Sequence, residues 1–215
     1  MFVSIRCYFV HKAPATELAE LVDQDFADRI SAQPGFVSYE FLDVGEGEAM
    51  TVSAFDDAAQ AEDSRALARA WVDEALGDLE LTTLESVHGQ IKLTHASAAR
   101  PASAHPGAPT GFAAVRRYRL ARGSVEDLVK TAEEFAWQLE TLPEFYSFQM
   151  LDCGDGDIVA VSRFRERTST EQSDELAARF ARTELQEFEL KRNEWLGGGV
   201  ILVSREADAA PLGGS

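Results

Sequence analysis

The sequence predicts an α+β protein built from two tandem β-α-β-β-α-β units. Three observations carry that reading. The stretch from Pro34 to Phe55 returns as Pro143 to Phe164, with Phe36, Ser38, Leu42, Asp43, Gly45 and Val52 recurring as Phe145, Ser147, Leu151, Asp152, Gly154 and Val161. Each copy reads as strand, tight Asp/Gly turn, strand, which is the signature of a β-hairpin. Each hairpin is also flanked on both sides by helical periodicity and then by strand-like alternation.

The elements follow in order. From Phe2 to Val10 the chain alternates, with Val3, Ile5, Cys7 and Phe9 on one face and Phe2, Ser4, Arg6 and Tyr8 on the other. Pro14 opens a helix to about Ser31, with Leu18, Leu21, Val22, Phe26 and Ile30 at helical spacing. After the first hairpin, Asp56 or Asp57 can cap a second helix running to about Asp78, with Leu67 and Trp71 on its buried stripe. Val87 to Thr94 is the last strand of this unit. The order β-α-β-β-α-β is the ferredoxin-like unit.

Residues 96–111 hold three prolines among small residues and read as a linker. Phe112, Arg116 and Tyr118 then echo Phe2, Arg6 and Tyr8. Ser124 caps a helix to Leu142, with Asp127 three residues on. A second helical region is expected from Thr168 to about Glu194, where Leu176 and Phe180 match Leu67 and Trp71. The last strand is Val200 to Val203. The domains are therefore 1–95 and 112–205, with a flexible tail at 206–215.

A net charge of −17 argues against a nucleic-acid backbone or an anionic membrane as partner. With no signal-peptide pattern and no long apolar run, a cytoplasmic protein is expected. The excess acid lies mostly in the first repeat, while the second carries Arg116, Arg117, Arg119, Arg163, Arg165 and Arg167. Either this is ordinary solvated surface, or the halves attract each other or share an anionic ligand. Cys7 and Cys153, the only cysteines, have no metal-ligand spacing around them and read as buried thiols.

Two such units, with Pro34-Gly-Phe-Val-Ser opening a strand after the first helix, resemble the dimeric α+β barrel superfamily, and within it the antibiotic biosynthesis monooxygenase family. The resemblance implies two four-stranded antiparallel sheets facing each other as a barrel with helices outside, here within one chain. It implies a cofactor-independent monooxygenase acting on a small aromatic or anionic molecule in the barrel interior. It also allows a non-catalytic binding or structural barrel, or a haem-binding or haem-degrading protein. Some members use a Trp of the second helix with an Asn of the first strand and a His. Trp71 matches the first, but Asn193, the only Asn, is far from a first strand.

In such a barrel the apolar face of the first strand fits under the helices, so Arg6, Tyr8, Ser38 and Glu40 are expected inward, and in repeat two Arg116, Tyr118, Ser147 and Gln149. Arg offers a fixed fork of donors and Tyr a hydroxyl for an anionic or phenolic ligand. Alternatively Arg6 pairs with Glu40 and fills the barrel. That pairing would leave Arg116, beside the uncharged Gln149, in the more electropositive cavity. His88, opening the last strand, reads as a general base, a haem ligand or a surface histidine. No motif calls for a cofactor. A further homodimer of the two-repeat chain is expected.

Overall fold

The computed structural model describes residues 1–77, 79–97, 110–193 and 198–207, with Asn193 described in its backbone only. Repeat one runs β1 (Phe2–Val10), α1 (Ala15–Leu21), a π-helical turn (Val22–Phe26), α2 (Ala27–Ser31), β2 (Phe36–Gly45), β3 (Glu48–Phe55), α3 (Ala58–Ala75) and β4 (Leu81–Ala96). Repeat two runs β5 (Gly111–Arg119), α4 (Val125–Glu140), β6 (Phe145–Asp152), β7 (Asp157–Phe164), α5 (Arg167–Thr183), a 3-10 turn (Gln186–Phe188), β8 (Lys191–Asn193) and β9 (Gly198–Glu206). Most of the expected linker and tail, with His105, lie outside the described residues.

Each repeat has the same strand order, β4-β1-β3-β2 in the first and β9-β5-β7-β6 in the second, with every pairing antiparallel. The two sheets face each other and also join at both edges, where β2 pairs with β9 and β4 with β6. The result is a closed barrel with helices outside. β8 continues the edge of β5 at Arg117–Arg119, beyond the point where β9 stops.

Closure explains why β4 begins at Leu81 and not at Val87. Its outer residues are polar, but pairing with β1 and then with β6 satisfies its backbone along sixteen residues. The second helical region of repeat two ends at Thr183, well short of Glu194, because the 3-10 turn and β8 follow. The two hairpin turns are alike: Asp43 accepts from the Gly45 amide at 2.9 Å and Asp152 from the Gly154 amide at 3.0 Å. Gly45 and Gly47, like Gly154 and Gly156, take positive φ, which explains the glycines. Asp57 caps α3 in a reciprocal box with Gln60, and Ser124 accepts from the Asp127 amide at the start of α4.

The first helix of repeat one is interrupted by a π turn, whereas α4 is regular. The interval from Arg6 to Pro34 is one residue longer than that from Arg116 to Pro143. The π turn absorbs that extra residue without shifting the helix ends.

One expectation about faces is reversed. Val3, Ile5 and Cys7 pack with Leu42, Val52, Val115 and Val161 inside the barrel, a cluster to which no helix contributes. The faces bearing Arg6, Tyr8, Arg116 and Tyr118 lie under the helices instead. In a closed barrel both faces of a strand are buried, so an apolar face does not mark the helix side. The narrow interior takes β-branched side chains, and the layer beneath the helices takes the aromatics Tyr39, Phe41, Phe148 and Phe164.

At one end of the barrel Arg117 holds Asp157, donating from Nε to both oxygens at 3.0 Å, and also reaches Glu85. Cys7 is buried near this end and Cys153 half-buried. Burial first, and then Glu85 and Glu48 for Cys7 or Asp157 for Cys153, push each thiol from 9.0 up to about 12. Each thiol holds its proton more tightly folded than unfolded, so this contribution is complete below pH 9 and is lost as the pH rises toward 12. Urea unfolding across that range should show stability falling, with a shallower fall in the Cys7→Ala/Cys153→Ala variant. Identical slopes would contradict this account.

Candidate functional site

Arg116 projects from β5 toward α5 and is fully buried. Every arm of its guanidinium is occupied: Nε donates to Asp174 Oδ1 at 2.8 Å, Nη1 to Ser162 Oγ at 2.8 Å and Nη2 to Ser173 Oγ at 2.5 Å. Tyr118, on the same side, lines a space of about 50 Å³ walled by Phe135, Phe148 and Phe180. Burial pushes its phenol up, against the pull of Arg116. Repeat two therefore holds a saturated arginine inside a packed aromatic layer.

Arg6 occupies the matching place in repeat one and is treated differently. It is buried, and no carboxylate among the described residues lies within ion-pair distance. Among the described residues its Nη2 has no hydrogen-bond partner, and neither does the buried hydroxyl of Ser4, while the Tyr8 phenol draws on Arg6 and Thr51. Alignment of the helices supplies the reason. Ser64 and Leu67 of α3 match Ser173 and Leu176 of α5, so the place of Asp174 is taken by Arg65. Arg65 turns to Glu62 at 2.6 Å.

Arg6 and Tyr8 border a pocket of about 30 Å³ between the sheet and the helices, walled by Phe26, Tyr39, Phe41 and Trp71. Burial pushes the Tyr8 phenol up, and Arg6 pulls it the other way. The π turn forms part of the roof through Val22 and Phe26. Trp71 packs on Phe26 with ring centroids 4.9 Å apart and donates from Nε1 to Asp25 Oδ2 at 2.9 Å. Arg29 and, after it, Trp71 hold the Asp25 carboxyl below its usual range.

The remaining candidates fall elsewhere. Glu40 does point into the barrel, but its partner is Arg163 of repeat two, whose Nε meets its oxygens at 2.8 and 2.9 Å; it does not meet Arg6. Gln149 is also inward and accepts from Arg163 Nη1 at 2.9 Å. Burial lowers the Arg163 guanidinium, but Glu40 more than offsets this and the net direction is upward. The arginine of the second repeat thus does attract an acid of the first, inside the barrel. His88 is exposed on β4, opposite Ser4, and joins neither set. The expected asymmetry is reversed, because Glu40 is taken by Arg163 and Arg116 by Asp174. The sequence reading did not reach Asp174, although the opposite charges at positions 65 and 174 were available as a signal.

No family model and no curated protein matches this chain. Solved structures do. An anthrone oxidase-like protein superposes with a TM-score of 0.60 at 12% identity, covering 97% of this chain and 94% of that one. A protein provisionally named a monooxygenase, from Fusobacterium nucleatum subsp. nucleatum, gives 0.64 at 7% identity, covering 95% and 94%. A chlorite dismutase variant from Candidatus Nitrospira defluvii gives 0.61 at 12% identity, covering 93% and 90%. These structures share this chain's fold, a closed α+β barrel whose two halves are here supplied by one chain. At these identities the likeness establishes the fold alone.

Haem, which the resemblance allows, does not fit either space beneath the helices. It needs an axial donor facing a slot of ligand size, on the order of 300 Å³ or more. The two spaces beneath the helices hold about 50 and 30 Å³ and no histidine lines either. Tyr118 and Met150 are the donors in the second repeat, where three phenylalanines already fill the room. His95 is held by Glu140 at 2.7 Å and packs against Trp137.

Replacing the two arginines separates their roles. Arg116→Met should cost about 1–3 kcal/mol, because it leaves the buried Ser162 hydroxyl unpaired, while Ser173 keeps its bond to the Thr170 carbonyl. Arg6→Met should be neutral or stabilising, because it removes a buried charge that lacks a counter-ion. Urea unfolding of both variants checks this; equal losses would contradict it.

Proposed function

We propose that the protein binds a small aromatic anion, a carboxylate or phenolate, between the sheet and helices of repeat one. One observation carries the reading: a buried guanidinium, Arg6, without an acidic partner, bordering a pocket with aromatic walls. An isolated buried charge is costly, and a ligand anion would supply the missing counter-charge. Tyr8, kept as a neutral phenol, is a second donor for the same oxygen. Phe26, Tyr39 and Trp71 suit an aromatic body.

In this conformation the pocket is the size of a water site, so a ligand enters only if the roof lifts. The π turn supports such a movement, since it places a defect in the helix directly over the pocket. The ion pairs of Arg29 with Asp25 and Glu74, at 2.7 and 3.1 Å, are solvent-exposed, and opening them costs little.

Two of the structural neighbours carry oxidase or monooxygenase names. Oxygenation without a cofactor requires a base to ionise the substrate. The residues lining the Arg6 pocket include neither carboxylate nor imidazole. This favours binding of an already ionised ligand over proton abstraction by the protein. Any homodimer would use helix faces, because the long strands are already paired on both sides.

Titration with 2-naphthoate, followed calorimetrically, tests the proposal. The wild-type chain should bind it, Arg6→Met should weaken binding at least about tenfold through loss of a charged hydrogen bond, and Arg116→Met, if folded, should bind as wild type. Undiminished binding by Arg6→Met would overturn the reading.

A further inference from the structure

We infer that the barrel mouth around Glu40 and Arg163 is a second ligand site, for a small uncharged molecule bearing a carbonyl or amide group. It lies on the opposite face of the sheet from Arg6 and does not depend on the repeat-one reading. The cavity there is about 420 Å³, within the ordinary range for ligand pockets of roughly 300–1,000 Å³.

Arg163 is 6% exposed, and two of its three nitrogens are engaged by Glu40 and Gln149. Among the described residues its Nη2 has no hydrogen-bond partner, and neither has the amide nitrogen of Gln149. Both residues line the cavity, so two free donors border one space. Ser38, Ser147 and Ser204 add hydroxyls on the walls. Met1 and Val37 add apolar surface.

The charge state selects the ligand. Glu40 cancels Arg163, and Glu206, the other carboxylate on the lining, is itself engaged, so the walls give little net attraction to an anion or a cation. What remains are two donors open to the cavity, Nη2 and the Gln149 amide, that can take an acceptor. A carbonyl oxygen is such an acceptor, and an amide N–H can in turn donate to a serine hydroxyl.

A purely structural role accounts poorly for the pair. Elsewhere the interior repeats itself with apolar filler, as in Leu42 and Leu151 or Val52 and Val161. Here the copies part company: Arg163 stands where repeat one has Ala54, and Glu40 where repeat two has Gln149. A buried ion pair is no more stabilising than well-packed apolar residues of similar volume.

The three methionines report on three compartments. Met1 borders this cavity, Met50 sits in the barrel interior and Met150 lies under the helices of repeat two. With methyl-labelled methionine, the full chain is titrated with benzamide, benzoate and benzamidine, which share a shape and differ in charge. Benzamide should shift the Met1 methyl saturably without moving Met150, and the charged analogues should need roughly tenfold more. Gln149→Leu should weaken benzamide about five- to tenfold. If that variant does not fold, as its methionine spectrum will show, Arg163→Lys, which keeps the charge and removes the free nitrogen, carries the same expectation. The inference is overturned if benzamide leaves Met1 unmoved, if the three probes bind alike, or if a folded variant binds benzamide as wild type does.

Discussion

Closure of the barrel is the constraint on which the rest of this structure depends. A four-stranded sheet of either repeat would leave two edges of unpaired amides and carbonyls. β2 gives its free edge to β9, and β6 gives its free edge to β4. Those two pairings need strands long enough to serve a neighbour in each repeat, which is why β4 runs for sixteen residues. They also create an interior narrow enough to be filled by valine, isoleucine and leucine from both copies. Most of the aromatic residues lie on the outer face, where the helices close over them; Tyr146, at the barrel mouth, packs on the inner side.

On this nearly two-fold frame the charges are distributed unevenly. Position 174 is aspartate and its counterpart, position 65, is arginine. The buried arginine of the second repeat therefore has a carboxylate and two hydroxyls, while that of the first has no acid. Position 163 is arginine and its counterpart is alanine, and so one end of the barrel gains an ion pair that links the halves. The two halves offer two matching places in each case, and a single residue difference makes them unlike in solvation and in charge.

The consequence is chemical division between the faces of one sheet. Beneath the helices of repeat one, a guanidinium without an acidic partner among aromatic rings suits an anion. On the inner face, a neutralised arginine and a primary amide at the mouth of a larger cavity suit an uncharged acceptor. The helix-covered layer of repeat two, with its arginine saturated and its phenylalanines interlocked, offers neither. The extra residue taken up as a π turn also belongs to the repeat whose arginine is unsatisfied.

The sequence by itself determined the internal repetition of the hairpin stretch, the main order of elements, the Asp/Gly hairpin turns, the cap at Ser124 and, to within one residue, the cap at Asp57. All of these are local patterns whose energetics are decided within a few residues. It also singled out Arg6, Tyr8, Glu40, Arg116 and Gln149 as polar residues set among apolar strand positions. Only the tertiary structure decided which way they face and whom they meet. Alternation along β1 separates two faces but cannot say which is inside, because a closed barrel buries both. The partners of these residues are remote in the chain: Arg116 meets Asp174 across the helix layer and Glu40 meets Arg163 across the barrel. Such pairings are settled by closure of the sheet and the packing of helices upon it, which no short stretch of sequence encodes.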